Sequence, residues 1–442
     1  MPTTDASAPR SRTFLDMTGY QWGVLAAAWL GWGFDSFDAL LFNWVAPNCV
    51  PTLLHLPLGS PEAKAATLQW TGLLTAILLV GWAAGGILFG AITDRIGRTR
   101  TLLLTMALYS LGTASCAFAP NIYVLVLCRI VASLGIGGEW AAGAAMVAEV
   151  VPEKRRVEAG ALLYTAAPMG LFLATFLNHR VAGVWFAGMP TVSWRYVFLF
   201  GLVPAAAAFV VRLFVREPER WQAAHESRAS WRELFGPLHR RRTLWGAFVA
   251  IVALITWWSC NAFLPALSTG LARAAAAARG LDELATLALV EEWKRSATNI
   301  FNLGGLIGTL LTIPAAKLLG RRPMFALYFA GSAAAILATF GLDLDAHTRL
   351  MMFFLIGLTV FGVFGAFTYY LPELYPTRLR ASGAGFCYNI GRLLAAVGPF
   401  LVGAAAARGV AMQAIFWVGF VPLAALLLVP FYIETRGQAL AD

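Results

Sequence analysis

The sequence predicts an all-α polytopic membrane protein with twelve transmembrane helices in two six-helix, pseudo-symmetric halves. Three observations carry this. Over 442 residues the chain is 59% apolar and only 13% charged, where soluble domains run about 45–50% and about 25%. Twelve stretches reach the ~20 apolar residues that cross ~30 Å of hydrocarbon. Two polar motifs recur at nearly one offset, one copy in each half.

The stretches are numbered here as spans 1 to 12: 20–46, 67–91, 101–119, 122–150, 158–178, 196–214, 244–268, 296–319, 322–342, 350–371, 381–404 and 412–434. Helix is the form expected, because lipid offers backbone groups no partners and the alternation of a membrane barrel is absent. The tail 1–19 is polar, without the apolar core and cleavage site of a signal peptide. A polar linker at 215–243 separates a bundle at 20–214 from a second at 244–434, and a short tail at 435–442 follows.

The formal charge of +10 has a topological source. With the N-terminus inside, the inner segments and the span ends beside them hold 22 of the 33 Lys and Arg and the outer loops 9; Arg129 and Arg392 lie in span interiors. That asymmetry places both termini in the cytoplasm and argues against a basic nucleic-acid face. An inner-membrane, multi-pass location is expected.

The duplication shows in the loops. Glu149-x-x-Pro152-x-x-x-Arg156 follows span 4 and Glu373-x-x-Pro376-x-x-x-Arg380 follows span 10, an offset of 224 (373 − 149). The Gly97-Arg98 turn matches Gly320-Arg321 at 223 (320 − 97). Gly90-x-x-x-Asp94-Arg95-x-Gly97-Arg98 resembles the loop after span 2 in the major facilitator superfamily. With twelve spans and the Glu–Pro–Arg repeat, the resemblance covers nearly the whole chain. It implies the major facilitator fold, and a cytoplasmic gate latched by Asp94, Arg95, Arg98, Glu149, Arg156, Glu373 and Arg380. In the second copy Lys317 stands where Asp94 would be.

An ionisable group inside a span is costly and is a functional candidate by default. Here these are Asp35 and Asp38 in span 1, Arg129 and Glu139 in span 4, and Arg392 in span 11. Asp35 and Asp38 share one helix face. None of the five has a charged counterpart in the other half: the matching positions are Ser259, Ala262, Phe353 and Pro168 for Asp35, Asp38, Arg129 and Arg392. Scaffold charge belongs in both halves, so asymmetric charge points to a substrate. Arg392 offers a planar fork for a carboxylate. Arg129 is either a second ligand or a structural partner of span 1, and Glu139 either a proton site or an interhelical hydrogen bond. Tyr388, Asn389, Asn261 and Asn302 are polar candidates for the cavity wall. The tryptophans read as packing or lipid-facing groups.

Gly31-x-Gly-Phe-Asp35-Ser-Phe-Asp38, Arg129-x5-Gly135-x-Gly137-Gly138-Glu139-Trp140 and Gly391-Arg392 resemble the organic-acid:proton symporters, the sialate and lactate/pyruvate group beside the aromatic-acid group. The resemblance implies that Asp35 and Asp38 serve proton coupling, with Glu139 close by, and that Arg129 and Arg392 serve the acid. Ser36 departs from the aromatic-acid pattern, which has glycine there. The function expected is import of a small organic anion, of the lactate/pyruvate type, with a proton by alternating access. An aromatic acid, nicotinate, sialate, or a cationic or neutral solute such as a sugar remain alternatives, and a non-transporting sensor is the remotest. No nucleotide loop, nucleophile elbow or metal cluster appears, so no enzyme, cofactor or metal is expected. The partners expected are the acid, the proton and the lipid bilayer, around a functional monomer.

Overall fold

The computed structural model describes residues 14–58, 60–202, 206, 209–210, 213–223, 230–395 and 411–440. Most of the tail 1–19, parts of spans 6 and 11, part of the linker and the last two residues lie outside the described residues. Among the described residues the regular elements are all helices. Seven are long and apolar enough to cross a membrane, eight if the bent first helix counts as one span.

Local sequence sets where the helices begin and turn. Thr18 caps Gly19–Leu53 in a box with Gln21. Ser60 accepts from the Ala63 amide ahead of Pro61 at the first helical position of Pro61–Ile96. Asn121 caps Ile122–Val150, and Asp282 caps Glu283–Leu318. The first helix bends by 46° between Gly19–Ala39 and Trp44–Leu53. Pro47 explains it: proline removes one helical N–H and collides with the carbonyl four residues back.

Close approach of small residues builds each half. A Cβ on Gly85 would lie 2.0 Å from the Leu134 carbonyl oxygen, and one on Gly137 would lie 2.1 Å from that of Trp82. Spans 2 and 4 therefore touch backbone to backbone. Spans 8 and 10 repeat the device at Gly304 and Gly308, 223 residues after Gly81 and Gly85 (304 − 81, 308 − 85). A Gly137→Leu change should prevent spans 2 and 4 from closing. The expected result is loss of the monodisperse, detergent-purified protein; a normal elution profile and melting temperature would count against this packing.

Two seams join the halves. Span 2 packs on span 11 through Gly86, Gly90 and Gly385, and span 5 packs on span 10 through Gly160. The linker lies across one end of the bundle, called the linker face here; the opposite end is the far face. Glu233 of the linker pairs with Arg378 at 2.6 Å, and that guanidinium's hydrogen bond holds the Glu233 carboxyl below the usual range. His239 is buried beside them, and burial, with Arg242 and Arg378 near, pushes its imidazole down.

Candidate functional site

Between the halves lies a cavity of about 310 Å³. Its walls are aromatic from both sides: Trp32, Trp82 and Tyr164 from one half, Trp257, Phe361 and Phe364 from the other. Arg392 enters it from span 11. Its guanidinium carbon sits 3.8 Å from the Trp82 ring centre and 4.9 Å from that of Tyr388, a cation held on two π faces. Tyr388 stacks in turn on Trp140 at 4.1 Å. Asn389 accepts from Arg392 Nη1 at 2.6 Å and donates to the Gly385 carbonyl at 2.8 Å. Gly86 leaves room for that amide, since a Cβ there would fall 1.9 Å from its nitrogen.

The five intramembrane charges separate into different neighbourhoods. Asp35 is fully buried and within electrostatic reach of Arg392. Asp38, on the same helix, instead accepts from Thr113 at 2.6 Å and pairs with Arg129 at 3.3 Å. Arg129 also donates to the Asp38 carbonyl at 3.2 Å. It thus braces span 1 against span 4, the structural one of the two roles open to it, and is not among the cavity's lining residues. Glu139 accepts from Thr105 of span 3 at 3.2 Å, likewise off the cavity. Of the polar candidates, Tyr388 and Asn261 line the cavity. Asn389 acts on Arg392 from behind, and Asn302 is buried away from the lining.

The gate residues meet at the linker face. Glu149 accepts from Arg98 Nη2 at 2.8 Å and Nε at 3.1 Å, and from Arg380 of the other half at 2.9 Å. All three side chains are fully buried. Arg98 also donates to the Thr377 carbonyl at 2.7 Å. Asp94 pairs with Arg98 at 3.2 Å and accepts from the Ser382 amide at 2.8 Å, an anion at the start of helix Arg380–Ala395. The second copy mirrors this. Glu373 accepts from Arg321 at 2.7 Å and pairs with Arg156 across the seam at 3.5 Å. Lys317 reaches Glu158 of the other half at 2.5 Å. Arg95 is exposed and outside the network.

Comparison with known proteins agrees with this geometry. Residues 28–399 match the Major Facilitator Superfamily. The chain belongs to that superfamily. It is 30% identical to the "Probable 4-methylmuconolactone transporter" of Cupriavidus pinatubonensis over 84% of this chain and 80% of that one. It is 26% identical to the gentisate transporter of Corynebacterium glutamicum, over 88% and 82%. The solved structure of the proton:xylose symporter XylE aligns over 95% of this chain and 98% of its own, with a TM-score of 0.73 and 19% identity, and so shares the fold.

Several working parts of this facilitator escaped the sequence. The tryptophans of the cavity wall read from the sequence as packing or lipid-facing groups, because a tryptophan in a span carries no sign of which way it faces. Arg321 is not among the gate residues that the resemblance names, although its place 223 residues after Arg98 (321 − 98) marks it. Glu217 and Glu434 do matching work: Glu217 accepts from the Arg98 amide at 2.8 Å, Glu434 from the Arg321 amide at 3.0 Å. Each clamps a turn whose glycine has positive φ, Gly97 at 110° and Gly320 at 101°. The two acids are 217 residues apart (434 − 217), off the 223–224 spacing of the other landmarks, so the repeat does not mark them.

Proposed function

We propose that the protein imports a ring-bearing monocarboxylate together with a proton. The observation that carries this is Arg392, a buried cation on the wall of an aromatic cavity between the two halves. Its fork matches a carboxylate, and the flat faces around it suit a flat ring. Among the acids considered, a lactate-sized one would leave most of the 310 Å³ unfilled and the aromatic walls without contact. Two relatives, the gentisate transporter and the "Probable 4-methylmuconolactone transporter", support a ring acid.

The proton follows from charge. A carboxylate at Arg392 takes up the positive charge that faces Asp35. A second anion nearby favours the protonated form of a buried carboxylate, so acid and proton enter together. Asp35 is the carboxylate in the electrostatic field of Arg392, whereas Asp38 lies against Arg129 and Thr113; Asp35 is therefore taken as the coupling residue. The Lys and Arg excess supports a cytoplasmic linker face. With that face latched, the cavity loads from the other side, and rocking of the halves about Arg392 delivers the acid inward.

Proteoliposomes and labelled benzoate test this. An inward proton gradient should drive accumulation. Asp35→Asn should lose gradient-driven accumulation by more than about tenfold while keeping benzoate exchange across the membrane. Accumulation that ignores the gradient, or an Asp35→Asn protein that still concentrates benzoate, would refute the coupling.

A further inference from the structure

We propose that Thr75 and Asn261 form a second polar pole of the cavity, selecting ring carboxylates that carry a hydrogen-bonding group on the edge opposite the carboxylate. This rests on Arg392 as the carboxylate anchor and specifies what the other end of the same site reads.

The argument is one of level along two helices. Span 2 comes down from the far face and reaches Arg392 at Trp82. Thr75, on the same cavity-lining stripe with Leu78, lies seven residues earlier, about 10 Å toward the far face at 1.5 Å per residue. Span 7 rises from the linker face within Arg240–Arg279. It passes Arg392's neighbour Gly391 at Ile251 and Leu254, where a Cβ on that glycine would come within 3.0 Å of both. Asn261, on the stripe Leu254, Trp257, Trp258 and Asn261, lies seven residues beyond Leu254, again about 10 Å toward the far face. One polar side chain from each half thus stands at a common height above the guanidinium. Leu78 and Trp257 line the cavity between the two levels along their own helices. The separation is close to that of a carboxylate, a six-membered ring and a para substituent with a hydrogen bond at each end.

Both polar groups have capacity to spare. The hydroxyls of Thr67, Thr93, Thr256 and Thr339 each donate to the carbonyl four residues back. Neither Thr75 nor Asn261 has a side-chain hydrogen-bond partner among the described residues. Asn261 can donate and accept, and Thr75 likewise, so together they satisfy a hydroxyl in either sense. A ring that presents only carbon there strips both groups of water and returns nothing, and a site built to hydrogen-bond a substituent rejects the analogue lacking it.

Titration calorimetry on the purified full-length protein tests this with 4-hydroxybenzoate and its near-isostere 4-methylbenzoate. The hydroxy acid should bind about tenfold more tightly. In Thr75→Val/Asn261→Leu the ratio should fall to within about twofold. The readout is a ratio within one protein, so a general loss of binding does not imitate the result. If the double variant fails to fold, the two single variants are compared, each expected to take part of the ratio. Equal affinities in the unaltered protein, or a ratio that survives the substitutions, overturn the polar pole and leave Arg392 standing. If neither acid binds the unaltered protein, the carboxylate anchor itself falls and the polar pole with it.

Discussion

Arg392→Gln should bind and transport ring carboxylates at least about 30-fold less well than the unaltered protein, as truncating one partner of a buried, hydrogen-bonded charge pair costs about 2–5 kcal/mol. The glutamine still fills space and can hydrogen-bond Asn389, but it has no charge to face the acid or Asp35. Arg392→Lys keeps the charge and is the sharper test. A lysine is a point donor without the flat fork that lies on Trp82 and Tyr388 at 3.8 and 4.9 Å, so it should recover only a fraction of the binding. Equilibrium binding by calorimetry and uptake in proteoliposomes should fall together. Full uptake by Arg392→Gln would remove the carboxylate reading.

Glu149→Ala should open the linker face. Its carboxylate is shared by Arg98 and Arg380, and all three side chains are fully buried. Removing one member of a buried ion pair typically costs about 3–5 kcal/mol, because the partner stays desolvated and uncompensated. The protein has an escape that a rigid core lacks: it can swing the halves apart and let Arg380 reach water. Hydrogen exchange should therefore rise in the segments around Ser382 and Arg98, and the melting temperature should fall. Unchanged protection of the Ser382 amide, now held by Asp94 at 2.8 Å, would show that Glu149 does not hold the gate. Glu149→Gln, which still accepts hydrogen bonds, should give a milder form of the same change.

The two halves are legible because duplication leaves its landmarks at one spacing, and the same landmarks name most of the residues that meet at the linker face. Arg392 was readable because an unmatched charge in a span has to be explained. What stayed hidden depended on which way a helix is turned. Asp35 and Asp38 share a face at three residues' spacing, yet the structure gives one to Arg392's field and the other to Arg129 and Thr113. Thr113 is an unremarkable hydroxyl in a long apolar span, and no pattern ties it to Asp38. Asn389, a polar candidate for the cavity wall, holds the arginine from behind.

The two edges of the gate are chemically unlike. Along the seam of spans 2 and 11, Asp94 sits on the Ser382 amide with its side chain 1% exposed. At the symmetry-related edge, Lys317 meets Glu158 with the lysine 40% exposed. Water and salt reach the second contact and weaken it; they scarcely reach the first. The door therefore has a jamb and a hinge. In the proposed transport cycle it is expected to part first along spans 5 and 8 and to turn on spans 2 and 11, the edge that carries Arg392, so that cargo leaves on the side away from the residue proposed to hold it.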